Sequence, residues 1–188
     1  IVSCAEDHPK HFSLPRGCLD DVLTLLGSLK IQPDLKDERF VGNPLKLSFC
    51  GALRPEQQAA GDVLLRHDTG VLAATTAFGK TVLAAWLIAQ RGVNALVLVH
   101  RQQLLEQWIE RLSTFLDLPG KEIGRIGGGR KKWTGILDVA LMQSLVRKGL
   151  VNDAVGDYGH VIVDECHHVS AHSFELILRR AKAKFVTG

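Results

Sequence analysis

The run Asn94-Ala-Leu-Val-Leu-Val-His100 is apolar almost from end to end, and it constrains the fold more than any other stretch. A strand with one face in water alternates polar and apolar residues. A strand buried on both faces does not, and such strands belong to parallel sheets covered by helices. The residues that follow have a different period. Leu104, Leu105, Trp108, Ile109, Leu112 and Phe115 fall on one face of a helix predicted over 101–115. The same alternation recurs from about Leu53 onward: a strand at 70–74, a helix at 80–90, strands at 136–142 and 160–164, a helix at 173–182, and the start of a further strand at 184–187. Strands and helices taken in turn specify an α/β fold, a doubly wound parallel sheet with helices on both faces.

Residues 1–48 read differently. Ile1 to Ala5 suits a strand, and Pro15 suits the first turn of a helix reaching Leu29, with Leu19, Val22, Leu23 and Leu26 as its apolar stripe. Strands are expected at 31–40 and 45–49, separated by the turn signal Gly42-Asn-Pro44. The chain therefore divides into a small α/β accessory domain at 1–49 and a larger domain at 50–188. It opens on Ile1 rather than Met and stops directly after the apolar run 184–187, so it reads as an excised piece of a longer protein.

Four scattered cysteines (Cys4, Cys18, Cys50, Cys166) show neither a Cys-x-x-Cys pair nor a disulfide framework. They read as reduced thiols in a cytoplasmic compartment. No apolar run approaches the ~18 residues of a membrane span, so no membrane partner is expected. The net charge of +3 says little, but its distribution says more: Arg125, Arg130, Lys131 and Lys132 cluster around Gly127-Gly-Gly129, with further groups at Arg147-Lys148 and at Arg179, Arg180, Lys182 and Lys184. Solvated helix and loop surfaces account equally well for the last two groups.

Ala74-Thr-Thr-Ala-Phe-Gly-Lys-Thr81 reads as a strand-to-helix phosphate loop. Gly79 lets the backbone approach phosphate oxygens, and N–H groups at the helix start coordinate the anion. Lys80 neutralises β/γ-phosphate charge, and the Thr81 hydroxyl ligates Mg²⁺. Ala74 stands where the strict phosphate-loop pattern has its first glycine, so the loop alone is equally a plain helix N-terminus. The stretch His160-Val-Ile-Val-Asp-Glu-Cys-His-His168, about eighty residues downstream, adds the second part. It carries two carboxylates to the end of an apolar strand, where they are costly unless a cation or solvent compensates them. Asp164 suits a Mg²⁺-water ligand, Glu165 the base that orients an attacking water, and His167 a sensor of the γ-phosphate. The alternative, a solvated strand end, explains one acid better than two. Cys166, His167, His168 and His172 lack a second converging cluster and do not read as a zinc site.

In their order these motifs resemble superfamily 2 helicases and translocases, especially the XPB-like and restriction-enzyme-like branch, over roughly residues 50–188. The loop is similar to that family's A-P-T-G-S-G-K-T, from which it differs by Thr75 for Pro, Ala77 for Gly and Phe78 for Ser. The resemblance implies a first RecA-like lobe in which Thr76, Ala77, Phe78, Gly79, Lys80 and Thr81 hold ATP, with Mg²⁺ on Thr81 and Asp164. Asp164-Glu-Cys-His167 resembles the DEAD/DEAH box. Leu53-Arg-Pro-Glu-Gln57 resembles the Q motif, which implies that Arg54 and Gln57 attend the adenine. Leu96 to Trp108 resembles motif Ia, implying that His100 and Arg101 lie near a nucleic-acid backbone, while Trp108 reads as core. Gly127-Gly-Gly-Arg-Lys-Lys132 resembles the GG element, implying phosphate contacts from Gly127, Gly128 and Arg130; the lesser alternative is a flexible hairpin or loop. Asp138 to Leu145 resembles the next DNA-tracking motif, with Leu141 at the usual Thr position and Gln143 and Ser144 retained.

Three functions follow as expectations. The first is an ATP-dependent DNA helicase or translocase whose second RecA-like lobe, with its arginine fingers, lies outside these residues; the isolated piece then binds ATP and DNA weakly and hydrolyses ATP negligibly. The second is a duplex-DNA translocase subunit of a restriction or nuclease system. The third is a nucleotide-dependent DNA-binding module without motor action.

Overall fold

The structure, a computed structural model, describes residues 6–14, 16–75, 77–166 and 172–188. The chain separates into two compact units, Ile1–Glu38 and Arg39–Gly188. In the first, β1 (Glu6–His8) and β2 (His11–Ser13) form an antiparallel hairpin, and a 3-10 turn over Arg16–Cys18 leads into α1 (Leu19–Ser28). Val22, Leu23 and Leu26 are half-buried along α1, whereas Leu19, counted in the same stripe, is exposed. The strand expected at 1–5 and Pro15 lie outside the described residues.

The division falls at Glu38/Arg39 and not near residue 50. Residues 31–38 are exposed and unpaired by any strand, and 40–50 is extended chain rather than strand. Its alternation is real, for Leu45, Leu47 and Phe49 pack against the core. Among the described residues it nevertheless makes isolated bridges alone, Phe40 to Ala183 and Pro44 to Val93. Pro44 has no N–H to continue a ladder. The segment is instead sewn to the second unit by backbone bonds: Phe40 N to Lys182 O (2.7 Å), Leu45 N to Gly92 O (2.7 Å) and Cys50 N to Phe115 O (2.7 Å).

The second unit runs α2 (Pro55–Leu65), β3 (Thr69–Gly70), α3 (Lys80–Arg91), β4 (Ala95–Val99), α4 (Gln102–Phe115), β5 (Gly124–Gly127), β6 (Arg130–Lys132), β7 (Leu137–Leu141), α5 (Met142–Leu145), β8 (Val146–Arg147), β9 (Leu150–Val151), β10 (His160–Val163), α6 (His172–Arg180) and β11 (Phe185–Thr187). Seven strands form one sheet in the order β3-β11-β10-β4-β7-β5-β6, parallel throughout except for the edge strand β6. The predicted doubly wound parallel sheet is what the chain adopts. β4 lies in the middle, wholly buried, and its side chains divide by parity as a pleated strand requires. Ala95, Val97 and Val99 enter the core beneath α3 and α4, while Leu96 and Leu98 enter the core beneath α5 and α6. The strand expected at 70–74 is pared to Thr69–Gly70, although Leu72 N still reaches Gly188 O at 2.8 Å.

Asn94 ties the N-terminal edge of this sheet together. It is buried, and its side-chain oxygen accepts from Asn43 N and Gly159 N (3.0 Å each) while its amide donates to Gly135 O (3.0 Å) and Asp157 O (2.7 Å). Gly42 and Gly159 touch backbone to backbone here, since a Cβ built on Gly159 would lie 2.4 Å from the Gly42 Cα. Beside this knot His160 is fully buried, with Nε2 3.1 Å from Thr187 Oγ1. Burial, and then the nearby Arg91 cation, push the His160 imidazole well below its usual pKa. Arg91 stacks over the Phe185 ring at 4.1 Å, and burial lowers its guanidinium to about 10.

Candidate functional site

The acid pair, the start of α3 and the β5–β6 turn sit at the opposite, C-terminal edge of the sheet, where parallel α/β folds place their ligands. The phosphate loop leads straight into α3. Gly79 is its left-handed N-cap at φ +84°, and Val82 N and Leu83 N both bond to Gly79 O. The N–H groups of Gly79, Lys80 and Thr81 precede the first helical bonds and face out of the helix N-terminus, where an anion is favoured. Ala77, which differs from the family's glycine, holds φ +66°; a side chain in that conformation costs ~1–2 kcal/mol.

The loop is held from α2. Gln57 is buried; its Nε2 donates to Phe78 O (2.7 Å) and its Oε1 accepts from Arg54 N (2.9 Å). The Arg54 guanidinium also donates to Phe78 O, at 2.6 Å, and pairs with Glu56 at 2.7 Å. Both residues read as adenine contacts are thus found gripping the loop. Gln57 retains one N–H and one acceptor lone pair beyond those two bonds. Gly79 is required by this grip as well as by its φ, since a Cβ there would stand 2.5 Å from Gln57 Nε2.

Across the pocket, β10 delivers the acid pair. Glu165 Oε1 lies 3.6 Å from Lys80 Nζ, and Glu165 adopts a left-handed φ of +51° that turns the chain at the strand end. Lys80, Asp164 and Glu165 line one concavity together with Trp108, Cys166 and Gly188. Asp164 Oδ2 accepts a hydrogen bond from the buried Trp108 indole at 2.7 Å. Reading Trp108 as core was half of its role. The missed signal was its N–H, because a buried indole finds an acceptor; that the acceptor is Asp164 depends on β10 lying beside β4, which spacing does not reveal. Thr81 is half-buried on the first turn of α3. Thr76 and His167, assigned to nucleotide and γ-phosphate, lie outside the described residues.

The Thr81 hydroxyl and the Asp164 carboxylate are hard oxygen donors, and with Lys80 facing Glu165 and Gly79 at the helix N-terminus their chemistry fits Mg²⁺ with a nucleoside phosphate chain. Among the described residues no group of three or more His, Cys, Asp or Glu is arranged to hold a metal ion.

A second cluster occupies the ends of β4, β5 and β7. Gln143 Nε2 donates to His100 O at 3.1 Å. Gly127 to Arg130 is a two-residue hairpin turn with Gly128 at φ +59° and Gly129 at φ +79°, the left-handed pair of a type I′ turn. A Cβ on Gly128 would stand 2.7 Å from Gln102 Nε2, and one on Gly127 would stand 2.8 Å from Leu141 Cβ. His100, Gly127, Gly128 and Gln143 are therefore brought together, with Gln102 among them. Arg101 and Arg130 are exposed at the rim, Arg130 opposite Gly127 in the hairpin, and Ser144 is half-buried on α5. Arg125 pairs with Glu106 of α4, Nη1 to Oε2 at 2.7 Å, so that part of the basic cluster is spent inside the lobe.

Residues 51–188 match the family described as "Type III restriction enzyme, res subunit". The chain belongs to that family. It carries the first RecA-like lobe of a superfamily 2 helicase. It is 31% identical over 132 residues to the DNA 3'-5' helicase XPB of Kineococcus radiotolerans, covering 66% of this chain and 23% of that protein. It is 27% identical over 125 residues to the DNA 3'-5' translocase XPB2 of Sulfurisphaera tokodaii, covering 66% of this chain and 27% of that protein. The chain thus spans about a quarter of the length of these relatives. The fold of the UvsW helicase from bacteriophage T4 superposes with a TM-score of 0.71 at 16% identity, over 96% of this chain and 72% of that one. No helix among the described residues of the lobe's chain is long and apolar enough to cross a membrane.

Proposed function

We propose that this lobe binds ATP·Mg²⁺ and, joined to a second RecA-like lobe, drives movement along DNA as a helicase or translocase. The observation that carries the reading is the approach of Lys80 to Glu165 across the mouth of the sheet, 3.6 Å apart, with Gly79 opening the helix behind Lys80. In this reading the N–H groups at the start of α3 and the Lys80 ammonium take the phosphates, and Gln57 attends the adenine with the capacity its two loop bonds leave. Thr81 and Asp164 hold Mg²⁺, which when bound neutralises phosphate charge. Glu165 orients the attacking water and His167 senses the γ-phosphate. His100, Arg101, Gly127, Gly128, Arg130, Gln143 and Ser144 face the DNA backbone, so binding is salt-sensitive and largely sequence-neutral. The second lobe contributes arginine fingers worth ~10³–10⁵ in rate, and the chain alone binds weakly and turns over negligibly. Residues before the lobe serve as a small accessory domain, and the protein works in the cytoplasm with nucleic acid.

Thermal unfolding of the chain with and without millimolar Mg·ATP, alongside Lys80→Ala, tests this. Ligand at ~5 times its Kd stabilises the native state by ~1 kcal/mol, which is ~2–4 °C for a domain of this size. The shift is expected in the wild type and absent in the variant. Equal shifts in both proteins would remove Lys80 from the site and overturn the reading.

A further inference from the structure

Trp108 stands about two turns inside α4, counted from its first residue, Gln102, and donates its indole N–H to Asp164 Oδ2 at 2.7 Å. The ring is almost wholly buried, at 3% exposure, wedged among core residues of α3, α4 and β4. Its rotamer is therefore set by packing, and the N–H is presented to the carboxylate from a rigid element. Asp164 is also held through its backbone, Asp164 N donating to Leu98 O at 3.0 Å. A carboxylate has about four lone-pair sites on two oxygens; fixing one of them from a rigid donor selects a rotamer and leaves the other oxygen for a ligand. Outer partners of this kind orient metal ligands, and their loss costs about 10–100-fold in metal affinity.

We propose that Trp108 is a positioning residue for the Asp164 carboxylate, setting the affinity of this site for Mg²⁺ through its indole N–H. The inference rests on the reading of Asp164 as a Mg²⁺ ligand given under Proposed function. It gives α4 a task at both ends. At its start Gln102 packs against the Gly128 turn, and Glu106 bonds both Gln102 and Arg125. Farther along, the same helix holds the acid of the nucleotide pocket.

The test uses Trp108→Phe, which keeps an aromatic ring in the core and removes the N–H. ATP affinity of the full chain is measured calorimetrically with excess Mg²⁺ and again in EDTA, and the ratio of the two is compared between proteins. General loosening of the lobe lowers both affinities and leaves the ratio unchanged, whereas lost positioning of Asp164 lowers the Mg²⁺ arm alone. The expected result is a ratio reduced about tenfold or more, with affinity in EDTA retained. A ratio equal to the wild type's overturns the role of Trp108 while leaving the nucleotide site standing. Wild-type protein that binds ATP in neither condition overturns the nucleotide reading itself, and this proposal with it. Should Trp108→Phe fail to fold, the protein carrying Trp86→Phe and Trp133→Phe keeps Trp108 as its sole indole. Its emission must then respond to Mg·ATP and not to ATP in EDTA; emission alike in both overturns the proposal.

Discussion

Gly79 answers to two separate demands, a left-handed backbone at φ +84° and the absence of a side chain 2.5 Å from the Gln57 amide. Gly79→Ala meets neither. The conformational strain alone costs ~1–2 kcal/mol, and the displaced Gln57 leaves the Phe78 carbonyl with Arg54 as its remaining side-chain donor. We expect the unfolding free energy from urea titration lowered by about that amount and the Mg·ATP-dependent thermal shift abolished. Wild-type stability with an intact shift would mean that the loop tolerates a different path into α3. At this scale, residues that phosphate chemistry demands by type were legible. Lys80, Thr81, Asp164 and Glu165 stand out because few other arrangements need a lysine and a hydroxyl at a helix start and paired acids at a strand end. Gln57 and Trp108 were legible only in part. Each acts through an atom far along the chain, the Phe78 carbonyl and the Asp164 carboxylate, and such pairings exist only once strands and helices have taken their places.

Among the elements, the β5–β6 hairpin shows how two readings of one sequence can both hold. A Gly-Gly turn at left-handed φ is what a type I′ hairpin requires, and the same turn sets Arg130, exposed, on the edge strand opposite Gly127. If Arg130 meets a phosphate, Arg130→Glu lowers the slope of log affinity against log salt by about 0.7 on single-stranded DNA and about 0.9 on duplex, leaving Mg·ATP binding unchanged. Fluorescence anisotropy across a salt series measures it, and an unaltered slope would place Arg130 away from the backbone. Strands buried on both faces were the easiest elements to read, since β4 and β10 have nothing but apolar side chains to show in their interiors. The segment at 40–50 was misread for a physical reason. Its alternating Leu45, Leu47 and Phe49 do pack one face against the core, but alternation reports packing, not ladder bonds, and Pro44 lacks the N–H that would extend its bridge to Val93.

For the molecule as a whole, the buried His160 makes stability depend on pH. Its folded pKa lies well below the unfolded value of about 6.5, so under mild acid the unfolded chain takes up a proton that the native lobe refuses. Stability is full above about pH 6.5 and falls as pH is lowered, by at most ~1.4 kcal/mol per unit from this one group. Urea unfolding between pH 7.5 and 5 should show the loss, and His160→Gln should flatten it; a variant that keeps the whole slope would assign it to other groups. The class of fold was readable in the alternation of elements, but the strand order was not. Nothing local announces that β10 lies between β4 and β11, and that neighbourhood is what brings the acid pair opposite the phosphate loop. The Asn94 knot bears on where such a protein can be trimmed. Similarity to the family starts at residue 51, whereas the compact unit starts at Arg39. An expression boundary chosen from homology alone would discard Asn43 and Gly42, strip Asn94 of a donor and uncover the Gly159 backbone. The lobe's natural first residue is set by a hydrogen-bond partner, about a dozen positions ahead of the first recognisable motif.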